Sequence, residues 1–342
     1  MKAIAYKKSL PIDQADSLID IELPQPIATG RDILVKVNAI AVNPVDYKVR
    51  LNMPPAEGEA KVLGWDAVGE VFATGESAQN FKPGDVVYYA GDFTRQGSNA
   101  EYQLVDERIV GLKPKSVSDA EAAALPLTTI TAYELLFEHL NIKQQKAGST
   151  EKSKEVLLVV GAAGGVGSIL VQLAKAITGA TIIATASRPS SKEWVTNLGA
   201  DYVVDHTQAL QPQIEALNIG QVTHVASLNG TESYFDTYIE LLTPFGKIAM
   251  IDDPENSLDV MKLKMKSLSL HIEFMFARSM FNASDIDEQG KLLNQVAQLI
   301  DSGFIKTTLG KDLGAINAAN LKLAHKELET GKSIGKIVLQ GF

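Results

Sequence analysis

The sequence predicts an α/β protein built from a partly closed β-barrel domain and a doubly wound parallel sheet. Three observations predict it. Short strand-like segments punctuated by Gly and Pro run through residue 125, the composition turns helix-forming near residue 118, and strand-like and helix-like segments alternate after residue 155. With 342 residues the chain exceeds one ordinary core and suits two domains.

In the first part, "RDILVKVNAIAVN" (31–43) and "AVGEVFATG" (67–75) are strand-like, and Gly69 and Gly75 mark a bulge and a turn. "NFKPGD" (80–85) supplies Pro-Gly-Asp turn chemistry before the strand "VVYYAG". "SVSDAEAAALPLTTITAYELLFEHLNI" opens on a Ser/Asp helix start, and "KQQKAGSTEKSKE" (143–155) is an exposed polar connection. Strands are then expected at "VLLVVG", "ATIIATAS", "ADYVVD", "VTHVASL" and "GKIAMID", with helices at "VGSILVQLAKAIT" and "SSKEWVTNLG" between the first of them. This is the alternation of a parallel sheet covered on both faces. "SLSLHIEFMFAR" (267–278) is expected as the last sheet strand, "KLLNQVAQLIDSG" and "AANLKLAHKELETG" as amphipathic helices, and "KIVLQGF" as a strand returning to the first domain.

Composition narrows the function classes. The net charge of -9 disfavours a nucleic-acid partner, since affinity for phosphate backbones rests on clustered Lys and Arg. The densest basic run, "KLKMKS" (262–267), is accounted for as a solvated face. "MKAIAYKKSLPIDQ" places charges where a signal peptide carries its apolar segment, and no apolar stretch approaches the ~20 residues of a membrane span. Cysteine is absent, which removes disulfides and thiolate chemistry together. The expected compartment is the cytoplasm.

"VVGAAGGVGSILVQLAK" (159–175) sets a Gly-rich turn between an apolar strand and an apolar helix. That is the setting of the G-x-G-x-x-G dinucleotide fingerprint, here in the register Ala162-x-Gly164-x-x-Gly167. Gly164 lets the backbone approach a pyrophosphate, and Gly167 lets helix pack on sheet. The first helical turn, with Gly165 and Val166, turns its N–H groups toward the anion. No Gly-Lys-Ser/Thr follows at P-loop spacing. About 20 residues on, where an NAD site places an acid, "TASRPSSK" offers Ser187 and Arg188, then Ser191 and Lys192. A guanidinium with hydroxyls suits a 2′-phosphate, so NADPH is expected over NADH. A surface Ser/Pro loop is the alternative reading of these residues.

Together these stretches resemble the medium-chain dehydrogenases/reductases, and within them the zinc-free quinone oxidoreductase-like branch. "AVNPVDYKVR" (41–50), "LGWDAVGEV" (63–71), "LPLTTITAYE" (125–134), "LGADYVVDH" (198–206) and "GKSIGKIVL" (331–339) carry the resemblance along nearly the whole chain. It implies a GroES-like domain over 1–125 completed by 282–342, a Rossmann domain over 126–281, and an active site in the cleft between them. It also implies that Asn43 and Tyr47 border the nicotinamide, Asn43 orienting cofactor or substrate and Tyr47 donating a hydrogen bond or forming an aromatic wall. Either Tyr47 or Lys48 faces the cleft. Thr131 matches the Thr that approaches the nicotinamide, and His206 lies where relatives place an aromatic or His near the adenosine phosphates. As plain scaffold, Asn43 is a turn residue before Pro44 and Thr131 a helix hydroxyl bonded to its own backbone. Strands near "HIEFMFARSMF" pair across a dimer in relatives, so a homodimer is expected.

In the family's zinc enzymes a Cys-x-x-Asp loop and a Gly-His-Glu motif supply metal ligands. Here they read Asn43-Pro44-Val45-Asp46 and Gly64-Trp65-Asp66, and His139, His206, His224, His271 and His325 show no ligand spacing. No metal is expected. Without a Lewis acid, and with no Tyr followed four residues later by Lys, simple alcohols and carbonyls lack activation. Quinones and α,β-unsaturated carbonyl compounds accept a hydride without strong acid catalysis and are the expected substrates. Reduction of simple aldehydes or ketones, and a regulatory NADPH-binding role with little turnover, stand as alternatives.

Overall fold

The computed structural model describes residues 1–342, which divide into two compact units. The first comprises Met1–Ile130, Phe276–Ser302 and Thr307–Phe342, and the second Thr131–Met275 with Gly303–Lys306.

The first unit holds β1 (Lys2–Tyr6), β2 (Ile19–Glu22), β3 (Asp32–Val42), β4 (Lys61–Val62), β5 (Asp66–Thr74), β6 (Val86–Tyr89), β7 (Tyr102–Asp106) and β8 (Val110–Leu112). Helix α1 (Pro44–Asn52) leaves the end of β3, and α2 (Asp119–Ala123) and α3 (Pro126–Tyr133) follow β8. β2, β1 and β4 form a small sheet. The main sheet takes two strands from the end of the chain, β15 (Leu309–Asp312) and β16 (Lys336–Gln340), and runs β15-β16-β3-β5-β6-β8, with β7 also paired to β3. β3 is long and β-branched, and Ile33, Val35, Val37 and Ile40 are all buried with Val68, Val71 and Val87 of its neighbours. Opposite Gly69 the register of β3 shifts between Val37 and Ala39, and a Cβ on Gly69 would sit 2.1 Å from the Lys36 carbonyl oxygen. Only glycine permits the strands to close there. The expected bulge is therefore present.

The second unit holds β9 (Val156–Val160), α4 (Gly165–Ile177), β10 (Thr181–Thr185), α5 (Pro189–Asn197), β11 (Tyr202–Val204), α6 (Leu210–Ala216), β12 (Val222–Ser227), α7 (Thr231–Leu241), β13 (Leu242–Met250) and β14 (Ser269–Ile272). The sheet order is β11-β10-β9-β12-β13-β14, and every pairing is parallel. Strands covered on both faces read as unbroken apolar runs, and all of "VLLVV" in β9 is buried. The core joins Leu158, Ile183, Val225 and Ile248 of the sheet to Phe235 and Tyr238 of α7. The order reverses direction between β9 and β12, and in such sheets ligands bind beyond the carboxyl ends of the strands at that point.

The rest of the chain supplies α8 (Ala277–Met280) and α9 (Glu288–Asp301) before β15, and α10 (Ala318–Glu329) between β15 and β16. β16 pairs antiparallel with β3, Ile337 opposite Val42, so the expected strand return is present. One expectation needs correction. The strand anticipated over 267–278 covers only 269–272, because β13, its one neighbour, stops at Met250 opposite Ile272. Beyond that point the chain turns into α8, and Met275 and Phe276 are buried there. Within the basic run at 262–267, Lys262 and Lys264 are exposed, while the Lys266 ammonium donates to the carbonyls of Ile239, Glu240 and Leu242 at the end of α7.

Candidate functional site

The Gly-rich turn leaves β9 at Gly161, whose φ of 82° is left-handed, and enters α4 at Gly164. No side chain caps this helix, so the N–H groups of Gly165, Val166 and Gly167 open the first turn as an anion cradle. Gly161, Gly164, Gly165 and Val166 are half-buried, and Gly167 is buried against the Ala162 backbone. A Cβ on Gly164 would meet only the Gly161 carbonyl oxygen, at 3.4 Å. The backbone there is open to a ligand.

The neighbouring strand ends contribute the rest. Thr185, last in β10, accepts the Gly161 N–H at 3.2 Å and ties the two loops together. Ser187 and Arg188 follow, half-buried and exposed respectively, and Arg188 is the N-cap of α5. The Ser191 hydroxyl accepts the Arg188 N–H at 3.2 Å, which folds the loop into a capping box. Lys192 pairs with Asp205 at 3.1 Å, and that carboxylate is held down to about 2 by the Thr207 hydroxyl, the Thr207 N–H and Lys192. His206 stands just past β11 with its Nδ1 buried and unpartnered. The carboxyl ends of β9, β10 and β11 thus gather Gly164–Gly167, Ser187, Arg188, Lys192 and His206 on one rim. A glycine cradle, a guanidinium on the adjacent loop and a buried ring nitrogen without a partner fit a dinucleotide.

The first unit gathers Asn43 and Tyr47 on α1. Asn43 is the N-cap, in a capping box whose Asp46 carboxylate accepts the Asn43 N–H at 2.7 Å. Burial pushes the Asp46 carboxyl up to about 7, against the pull of that N–H and the Lys336 ammonium. Tyr47 and Lys48 follow, both half-buried. Asn43 itself is 1% exposed, and its amide is spent inward. Its Nδ2 donates to Asp66 at 2.8 Å, and its Oδ1 accepts from the ammonium of Lys336. That ammonium also donates to Asp66 at 2.8 Å and to the Val42 carbonyl at 3.0 Å. The second Asp66 oxygen accepts the Leu127 N–H at 2.7 Å at the start of α3, the helix on which Thr131 lies buried.

Asn43, Asp66 and Lys336 therefore form a closed, buried polar cluster. Neither Asp66 nor Lys336 stands out in the sequence as a site residue; the one signal is a lysine heading the apolar strand "KIVL". Beside it Trp65 stacks on Phe93 at 5.8 Å and tilts against Phe276 at 5.7 Å. A zinc ion does not fit these residues. An amide, an indole and one carboxylate are a poor donor set, and a paired ammonium lies among them. Nowhere do three His, Asp or Glu side chains converge as metal ligands would. No helix is long and apolar enough to cross a membrane.

Comparison with known proteins places these features. Residues 29–115 match the family described as alcohol dehydrogenase GroES-like domain, and residues 165–288 the family described as zinc-binding dehydrogenase. A zinc-type alcohol dehydrogenase-like protein of Staphylococcus aureus (strain MSSA476) is 41% identical over 339 residues, 99% of each chain. A 2-methylene-furan-3-one reductase of Solanum lycopersicum is 32% identical over 99% of this chain and 79% of its own. Among solved structures, a Rhizobium etli CFN 42 protein provisionally described as a zinc-dependent alcohol dehydrogenase superposes with a TM-score of 0.95 at 50% identity, covering 100% of this chain and 98% of its own. The Escherichia coli quinone oxidoreductase in complex with NADPH shares the fold, with a TM-score of 0.81 at 23% identity over 99% of this chain and 100% of its own. The GroES-like sheet unit, the Rossmann-like parallel sheet and relatives matching end to end establish that this chain belongs to the medium-chain dehydrogenase/reductase family of oxidoreductases.

Proposed function

We propose that the protein is a zinc-independent reductase that uses NADPH to reduce quinones or α,β-unsaturated carbonyl compounds. The observation that carries this reading is the Lys336 ammonium, paired with Asp66 and Asn43 where zinc enzymes of the family draw metal ligands. Without a Lewis acid there, the acceptor must itself be activated toward hydride. The tomato relative, named for a 2-methylene-furan-3-one, supports an enone as acceptor, and the fold shared with quinone oxidoreductases is compatible with a quinone.

When bound, NADPH supplies the hydride, which carries both electrons of the reduction. The chain's own residues do the rest. Gly164, Gly165, Val166 and Gly167 hold the pyrophosphate with backbone N–H groups, while Ser187, Arg188 and Lys192 hold the 2′-phosphate. His206, whose Nδ1 is buried without a partner beside this rim, borders the adenosine phosphates. Thr131 and Tyr47 orient the nicotinamide and acceptor, which converts an encounter into a held geometry. Hydrogen-bond donors suffice for the enolate or hydroquinone oxygen that develops, and solvent supplies the proton that completes the product. The edge strand β14 leaves Ile272 70% exposed, and Phe274 just beyond it is 46% exposed, which suits pairing with a second copy in a homodimer.

The test is NADPH oxidation followed at the nicotinamide absorbance with 1,4-benzoquinone, an enone and a saturated aldehyde side by side. Turnover confined to the quinone or enone is the expected result. Aldehyde turnover alone moves the assignment to carbonyl reduction. Tight NADPH binding with no acceptor reduced moves it to a nucleotide-binding regulatory protein.

A further inference from the structure

We propose that Lys336 is a positioning residue for hydride transfer, a built-in cation that fixes the starts of the two helices carrying Tyr47 and Thr131. The inference rests on the reading of those two residues as neighbours of the nicotinamide. Asn43, Asp66 and Lys336 are 1%, 0% and 3% exposed. An ammonium has three N–H bonds, and here each has an acceptor: the Val42 carbonyl, the Asn43 amide oxygen and Asp66 Oδ2. No proton is spare for an acceptor molecule, so Lys336 acts through its neighbours.

Those neighbours form two branches. One runs from Lys336 to the Asn43 amide: with Oδ1 bound to the ammonium and Nδ2 donating to Asp66, the amide cannot flip. Asn43 caps α1, and Tyr47 lies one turn further along. The other runs through Asp66 Oδ1 to the Leu127 N–H, and Thr131 lies one turn further along α3. One buried ion pair thereby sets the entry of both helices. Asn43 becomes a positioning residue too, since both ends of its amide are engaged inside the fold. Core stability is a weak explanation for such a pair, because apolar replacements of buried ion pairs are often as stable.

The experiment compares wild type, Lys336→Met, and the double variant Asp66→Asn/Lys336→Met. Thermal melting, the NADPH dissociation constant, kcat, KM and the isotope effect with NADPH deuterated at the transferred position are measured. Lys336→Met alone leaves Asp66 buried without its countercharge, and its melting temperature falls. The double variant removes both charges, and the amide it introduces at position 66 can donate to a flipped Asn43 side chain. Its melting temperature recovers. Its kcat stays at least about tenfold below wild type, because sub-ångström displacement of reacting partners is costly. NADPH affinity and KM stay within about twofold, and the isotope effect rises as hydride transfer becomes limiting. A double variant that regains both melting temperature and kcat overturns the proposal and leaves Lys336 a structural residue. Wild-type protein that binds no NADPH, or reduces no acceptor, overturns the functional reading itself and this inference with it.

Discussion

A Cβ on Gly167 would lie 2.5 Å from the Cα of Ala162, a contact between two backbones that no rotamer can relieve. Three residues earlier, a Cβ on Gly164 would find its nearest atom, the Gly161 carbonyl oxygen, at an ordinary 3.4 Å. The two glycines of one fingerprint therefore serve different links of the chain from sequence to function. Gly167 serves packing, letting α4 seat on the loop after β9. Gly164 has an extended backbone that alanine adopts freely, and it serves ligand approach.

The two substitutions should accordingly separate. Gly167→Ala forces α4 off its seat at a cost of about 1–3 kcal/mol, lowering Tm by roughly 1–2 °C per kcal/mol in a chain of this size. Gly164→Ala leaves Tm within a degree or so and weakens NADPH binding by about tenfold or more, since a methyl group stands where the pyrophosphate meets the N–H groups. Thermal melts and cofactor fluorescence titrations on both variants check this. Equal loss of stability in both would leave the cradle without a ligand-binding purpose.

Arg188 gives the second prediction. It is exposed at the N-cap of α5, on the loop that follows β10, and no carboxylate precedes it to take a ribose hydroxyl. Arg188→Ala should lower kcat/KM for NADPH by about 10- to 100-fold, the worth of one or two charge-assisted hydrogen bonds. With NADH the same variant should match wild type. An equal loss with both cofactors would mean that Arg188 shapes the loop and reads no phosphate.

What could be read in advance follows physical range. The strands at β9 and β10 were legible because burial on both faces leaves an unbroken apolar run, and Gly69 because a bulge needs a residue without a Cβ. The strand at β14 was overdrawn because an apolar run does not announce where its partner ends. The polar cluster was illegible for a different reason. Asn43 and Asp66 are 23 residues apart, and Lys336 lies 270 residues beyond Asp66. Only the return of β16 alongside β3, with Ile337 opposite Val42, sets the lysine beside Asn43. Local spacing carries no trace of a pairing made that late in the chain.

Acid stability provides the third prediction. His325 on α10 is fully buried, its Nδ1 accepting from Arg50 Nε at 3.4 Å while its Nε2 has no partner. Burial, with the Arg50 guanidinium in support, holds the imidazole down at about 3. The unfolded chain protonates it near ~6.5. The folded state thus refuses a proton that the unfolded state accepts. The stability this contributes is complete above about pH 6.5 and is lost toward pH 3, at about 1.4 kcal/mol per unit. Asp46 works in the opposite sense: raised to about 7, it keeps a proton in the fold that the unfolded chain releases near ~4, so its contribution is lost as pH rises through that range. A single melting curve against pH mixes the two. The difference between wild type and His325→Leu isolates the histidine, because Asp46 is common to both. Loss of the Arg50 acceptor lowers the variant at every pH without changing the slope. Between pH 6.5 and pH 5 wild type should lose about 1.5–2 kcal/mol relative to the variant, or roughly 2–4 °C in Tm. A difference that stays constant across that range would mean that His325 takes up its proton inside the fold.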